Sequence, residues 1–180
     1  MDITQLHAAL QASQAPIDRL RSPSEPGVYA LFLANKVMLP GLSVPPNGLI
    51  YVGLSGGLAK RQFDTHFSSK QTGFSAIRRS LGALLKEQLR LIARPRGRGK
   101  APQDLSCYRF EPDGEERLTE WMREHIHVAV HPSHDYQAIE GELISLTRPS
   151  LNLKGFANPD AREIKRLRKV CADEARRRCG

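Results

Sequence analysis

Gly27-Val28-Tyr29-Ala30-Leu31-Phe32-Leu33 and, after a Pro- and Gly-rich loop from Pro40 to Gly48, Leu49-Ile50-Tyr51-Val52-Gly53 are the stretches that decide the fold. Both are short, apolar and bounded by turn formers, so each reads as a buried strand. With only a loop between them, they are expected to pair antiparallel. Further along, Leu58–Phe67 reads as a helix and Ser75–Ile92 as a longer amphipathic helix. Arg94–Lys100 is a basic loop, and Ser106–Phe110 a short strand. Glu115–Glu124 reads as a helix, and His125–Val130, which alternates polar and apolar residues, as a strand. Asp135–Thr147 reads as a helix that stops before Arg148-Pro149, and Asn158–Arg178 as a basic terminal helix. Toward the N-terminus, Ile3, Leu6 and Leu10 keep near-helical spacing until Pro16 breaks it. The pattern is α+β: a small, mostly antiparallel sheet flanked by helices. A single domain over residues 1–180 is expected, with a core at about 26–154, an N-terminal helical extension at 1–22 and the basic helix at 158–178.

The chain has 180 residues, enough to close one hydrophobic core, and its 40% hydrophobic and 26% charged residues are an ordinary globular mix. The formal charge of +8 favours a polyanionic partner, nucleic acid first and anionic membrane second. No apolar run reaches the roughly 18–20 residues of a membrane span. Met1-Asp-Ile-Thr-Gln5 has neither a basic n-region nor an apolar h-region, so no signal peptide is expected. The cysteines are three, Cys107, Cys171 and Cys179, without a CxxC pair. Free thiols in a reducing cytoplasm are the expectation.

Four elements bear on chemistry. They are Gly27-Val28-Tyr29, Tyr51-Val52-Gly53, Arg61 ten residues beyond Tyr51, and Glu140-Gly-Glu-Leu-Ile-Ser-Leu-Thr-Arg-Pro-Ser-Leu-Asn152. Singly, each reads as well as core packing or a solvated charge; their joint order and spacing is specific. In that order they resemble the signature of the GIY-YIG nucleases over about Pro26 to Lys154: two tyrosine strands, an Arg about ten residues later, and a helical Glu followed by Pro and Asn. The resemblance implies an endonuclease that hydrolyses DNA phosphodiester bonds with Mg²⁺ or Mn²⁺. It implies Tyr51 as general base, Tyr29 as supporting hydrogen-bonder, Arg61 as phosphate clamp, Glu140 as metal ligand and Asn152 as orienting residue. Size and insertions resemble the restriction-type members. The sequence departs from the pattern in a longer loop between the tyrosine strands and an expanded stretch from about Leu89 to Arg123. Thr65 stands four residues after the Arg, where members often have His or Tyr, and His66, a possible helper, stands one later.

The residue chemistry agrees. Phosphodiester cleavage needs a nucleophilic water, charge relief at the transition state and help for the leaving oxygen. A guanidinium matches phosphate geometry, and a carboxylate holds a hard cation that keeps most of its waters. A phenol titrates near ~10, so a tyrosine base needs a nearby cation. Leu143 and Ile144 place Glu140 on an apolar side, where a lone carboxylate is costly. Glu142 shares a side with Ile139 and Leu146, and periodicity does not choose between the two acids. The resemblance favours Glu140.

Other charged groups are candidate DNA contacts. Ser75 with Arg78 and Arg79 suits a phosphate at a helix start. Arg94, Arg96, Arg98 and Lys100 in the basic loop, and Lys165, Arg166, Arg168 and Lys169 in the terminal helix, suit a backbone-tracking surface. His125, His127, His131 and His134 cluster around one strand without a carboxylate at ligand spacing, which favours surface or backbone contact over a transition-metal site. The opposing readings are a non-catalytic nucleic-acid-binding module on the same fold and a structure-specific repair or RNA-processing nuclease. A homodimer would let one site per chain cut both strands.

Overall fold

The computed structural model describes residues 2–21, 23–34, 39–97 and 101–178, so Arg98 and Lys100 lie outside the described residues. The elements run α1 (Ile3–Ser13), β1 (Ala15–Pro16), β2 (Gly27–Leu33), β3 (Leu49–Ser55), α2 (Leu58–Lys60, continued by a π-helical stretch Arg61–His66), α3 (Ala76–Leu84), β4 (Ala93–Arg94), α4 (Pro102–Ser106), β5 (Arg109–Phe110), α5 (Pro112–His125), β6 (Ile126–Pro132), α6 (Tyr136–Thr147) and α7 (Ala161–Arg177). They divide into two compact units, Met1–Asp64 with Arg123–Ala161, and Thr65–Met122 with Arg162–Gly180.

The first unit is a sheet in the order β1-β6-β2-β3, every pair antiparallel. β2 is buried along its whole length, as its unbroken apolar run requires. Strand alternation puts Val28, Ala30 and Phe32 on one face, in a core with Leu6 and Leu10 of α1, Val52, Ala129, and Leu143 and Ile144 of α6. Tyr29 and Leu31 take the opposite face, opposite Gly53 and Tyr51 of β3. Asp2 starts α1 with a capping box: its carboxylate accepts from Thr4 N and Gln5 N, and the Gln5 side chain accepts from Asp2 N.

The α+β class and the antiparallel pairing of Gly27–Leu33 with the Tyr51 strand hold. Three local expectations change. The break at Pro16 is a short edge strand on β6; proline fits an edge because it has no N–H to give the ladder. The Leu58–Phe67 helix is α only to Lys60 and π-wound from Arg61 to His66. The helix from Ser75 stops at Leu84 rather than Ile92. Its chain turns at Arg90, which takes a left-handed φ of 49°, and Ala93 and Arg94 then pair with Phe110 and Arg109. Continuous apolar periodicity cannot register a turn enforced by strand pairing.

In the second unit, Gly82 of α3 receives the Phe110 ring: a Cβ there would lie 2.2 Å from Phe110 Cε2. α7 buries Ile164, Cys171 and Ala175 and exposes most of its charges. Cys107 and Cys171 are free thiols, and burial pushes the Cys171 thiol up to about 11. None of the described helices is long and apolar enough to cross a membrane.

Candidate active site

Tyr29, Tyr51 and Arg61 come together on the first unit. The two tyrosine rings lie 6.1 Å apart, centroid to centroid, with planes inclined 34°. The Tyr29 phenol is in hydrogen-bond contact with both Arg61 and Tyr51. It is 1% exposed. Burial first, and Tyr51 second, hold its proton well above the ordinary phenol range; the Arg61 guanidinium opposes them without prevailing. Tyr29 therefore stays a neutral hydrogen-bonding group. Tyr51, on the edge strand, is only partly buried.

Gly53 makes this packing possible. A Cβ at Gly53 would stand 2.5 Å from Tyr29 Oη and 2.8 Å from Tyr51 Cε1. The glycine is needed for space, so that both rings can cross the backbone, rather than for an unusual φ. Sequence reading treated it as a strand terminus.

Arg61 begins the π-wound stretch. Its Nε is buried without a hydrogen-bond partner among the described residues, an N–H donor that costs free energy until an acceptor arrives. Phosphate oxygens suit that donor. In a π-helix the residue five positions on completes the turn, where an α-helix would use the fourth. His66 is fully buried in the second unit, with Nδ1 2.8 Å from Ser75 Oγ.

Asn152 grips β3. Its Oδ1 accepts from Val52 N at 2.8 Å and its Nδ2 donates to Val52 O at 2.8 Å. Leu151 N adds a bond to Ile50 O at 2.8 Å. The segment after α6 thereby extends the sheet edge and fixes the backbone on either side of Tyr51. Both side-chain amide atoms of Asn152 are thus engaged with the Val52 backbone, and the residue is 6% exposed. Its carbonyl and that of Ser150 both accept from Asn158 Nδ2 at 2.8 Å.

Glu140 sits on α6, which packs on β2 and β3 through Ile139, Leu143 and Ile144. Its carboxylate is half-buried, and burial raises its pKa. Among the described residues it has neither a hydrogen-bond nor an ion-pair partner. Glu142 is exposed. A partly desolvated, uncompensated carboxylate fits a hard divalent cation. Among the described residues, no three His, Cys, Asp or Glu side chains converge to hold a metal ion.

The candidate phosphate contacts fare differently. Ser75 and Arg78 are both 0% exposed, which corrects the reading of that helix start as a phosphate site. Arg78 pairs with Glu115 at 2.8 Å and also donates to Thr72 Oγ1 and the His66 carbonyl. Ser75 Oγ accepts from Arg78 N and meets His66. These polar groups spend their capacity inside the fold. Arg79 donates to the carbonyls of Thr72 and Gly73. Arg94 is bound to Glu111 at 3.0 Å, and Arg96 lies over the Phe74 ring. On α7, Lys165, Arg166 and Lys169 are exposed and Arg168 is partly buried; Arg166 bonds Glu163 and Lys169 bonds Asp173. Phe74, missed in the sequence, is the most exposed large apolar side chain described. Its signal was a lone aromatic in the polar run Ser68–Ser75.

No curated protein and no solved structure matches the chain. The family model described as GIY-YIG catalytic domain matches residues 27–170, from the first glycine of β2 into α7. The match takes in both tyrosine strands, Arg61, Glu140 and Asn152, and on it the chain belongs to the GIY-YIG catalytic domain family.

Proposed function

We propose that the protein is a divalent-metal-dependent endonuclease that hydrolyses DNA phosphodiester bonds, of the restriction type. The family is of the nuclease type. Two observations carry the reading: the buried Arg61 Nε has no hydrogen-bond partner among the described residues, and the half-buried Glu140 carboxylate is destabilised by burial. A pure binding module has no use for an uncompensated, half-buried carboxylate, because it repels the polyanion.

Arg61 binds the scissile phosphate and stabilises the charge that builds on it. Tyr29 stays protonated, ties Arg61 to Tyr51 and holds both in orientation. Tyr51 accepts the proton of the attacking water. Asn152 and Gly53 hold the Tyr51 backbone and ring. Glu140 would hold a divalent cation such as Mg²⁺, which would supply charge neutralisation and lower the pKa of its bound water.

The test is cleavage of supercoiled plasmid with and without Mg²⁺, for the native chain and Glu140→Ala. Discrete cuts that require Mg²⁺ and vanish in the variant are expected. A plasmid bound equally with and without Mg²⁺, and left whole, overturns the catalytic reading in favour of a binding module. The tyrosine roles are read from pH–rate profiles: Tyr51→Phe should abolish the rise in rate with pH, whereas Tyr29→Phe should lower the rate and keep that rise. The opposite pattern reverses the assignment.

A further inference from the structure

The second unit carries an aromatic platform with no role in the chemistry above. Phe74 ends the short 3-10 turn Thr72–Phe74 and is 61% exposed. Exposure of a single apolar residue is ordinary; this turn is unusual in how firmly it is held. Thr72 Oγ1 donates to Glu115 at 2.8 Å and accepts from Arg78 Nε at 3.1 Å, inside the buried ion pair. Arg79 Nη1 donates to the Gly73 carbonyl at 2.9 Å. Gly73 leaves room for Arg96 to cross, since a Cβ there would stand 2.8 Å from Arg96 Cδ. Arg96 then places its guanidinium 5.1 Å from the Phe74 ring centroid. One side of the ring is thus backed by a cation and the rest faces solvent.

The surroundings are basic. Lys70, Arg96 and Arg109 line the cleft beside Phe74, with Asp104 as the carboxylate among them. Asp104 Oδ1 lies 3.8 Å from Arg96 Nε. A rigid, cation-backed aromatic face ringed by positive charge suits a planar group attached to phosphates. An apolar protein segment would gain nothing from the three cations.

We propose that Phe74 is a stacking platform for an unpaired nucleobase, with Lys70, Arg96 and Arg109 holding the phosphates that flank it. Arg96 on one side and the base on the other sandwich the ring. The inference rests on the proposed action on nucleic acid and refines its substrate to one in which a base is extruded or unpaired.

The probe is an end-labelled DNA duplex with one unpaired 2-aminopurine, compared with the same duplex fully paired, both titrated with the full chain in EDTA. Anisotropy gives the affinity, and 2-aminopurine fluorescence reports stacking. The native chain should quench the unpaired base. Phe74→Ala should lose the quenching and weaken binding of the bulged duplex by about 5- to 150-fold, with little change for the paired duplex. Phe74→Trp should keep both signals, and Phe74→Leu should behave like Phe74→Ala. Phe74→Leu retaining native affinity and quenching overturns the proposal, because a generic apolar contact would then suffice. So does Phe74→Ala binding both duplexes as the native chain does. If the native chain cuts plasmid in Mg²⁺ while the Phe74 series has no effect, the platform fails and the nuclease reading stands. If the series behaves as expected and nothing is cut, the nuclease reading fails and the platform stands.

Discussion

Replacing Gly53 by alanine adds one methyl group at the place where the two tyrosines cross the strand. That methyl would stand 2.5 Å from Tyr29 Oη, 2.6 Å from Tyr29 Cζ and 2.8 Å from Tyr51 Cε1. Ordinary contact begins near 3.4 Å, so the Tyr29 phenol must retreat by about 0.9 Å. It has little room to do so, since it is 1% exposed and bound to Arg61 and Tyr51. A displacement of about 1 Å in a positioned group costs on the order of 100-fold in rate, and overpacking costs about 1–3 kcal/mol of stability. Gly53→Ala should therefore cut Mg²⁺-dependent plasmid cleavage by roughly 100-fold while the chain remains folded. Gly56→Ala is the internal control, because its Cβ meets nothing within 4 Å. The assay is single-turnover cleavage, with a thermal melt of each variant beside it. Gly53→Ala cleaving within about twofold of the native chain would refute the claim that the tyrosine pair must be held where it is.

Three further outcomes are expected. Glu115→Ala leaves Arg78 charged and buried, with the Thr72 hydroxyl and the Phe110 N–H also losing an acceptor; urea unfolding should show a loss of about 3–5 kcal/mol, and a loss below ~1 kcal/mol would contradict the central role of the pair. Asn152→Ala strips both bonds from the Val52 backbone; a loss of about 2 kcal/mol is expected, with hydrogen exchange at Val52 accelerated, and unchanged exchange would remove its positioning role. Glu140 binds its proton more tightly in the fold than in the unfolded chain, because burial raises its pKa. Its contribution to stability is full below the ordinary carboxyl range and is lost as pH rises through the raised value. Without divalent metal, Glu140→Gln should thus melt higher than the native chain at neutral pH, with the gap closing in acid. A variant less stable than the native chain at neutral pH would show that the carboxylate is compensated.

The sequence by itself determined the two buried tyrosine strands, their antiparallel pairing and the helix that bears Glu140. These rest on local signals: apolar runs of strand length, turn formers at their ends and helical periodicity before Arg148-Pro149. Tertiary structure decided what each polar group does. Arg78 sits in as basic a stretch as Arg79, yet only the fold brings Glu115 from a distant helix to bury it. Asn152 stands a hundred residues from Val52, and nothing local says that its amide will clamp that backbone. Glu140 and Glu142 occupy one helix with similar neighbours; packing on β2 and β3 leaves one half-buried and the other exposed. The π winding from Arg61 to His66 left no mark in composition. The physical reason is common to all four: local sequence sets which backbone conformations are favoured, whereas burial and partner choice depend on groups far away in the chain, whose positions exist only once the core has closed.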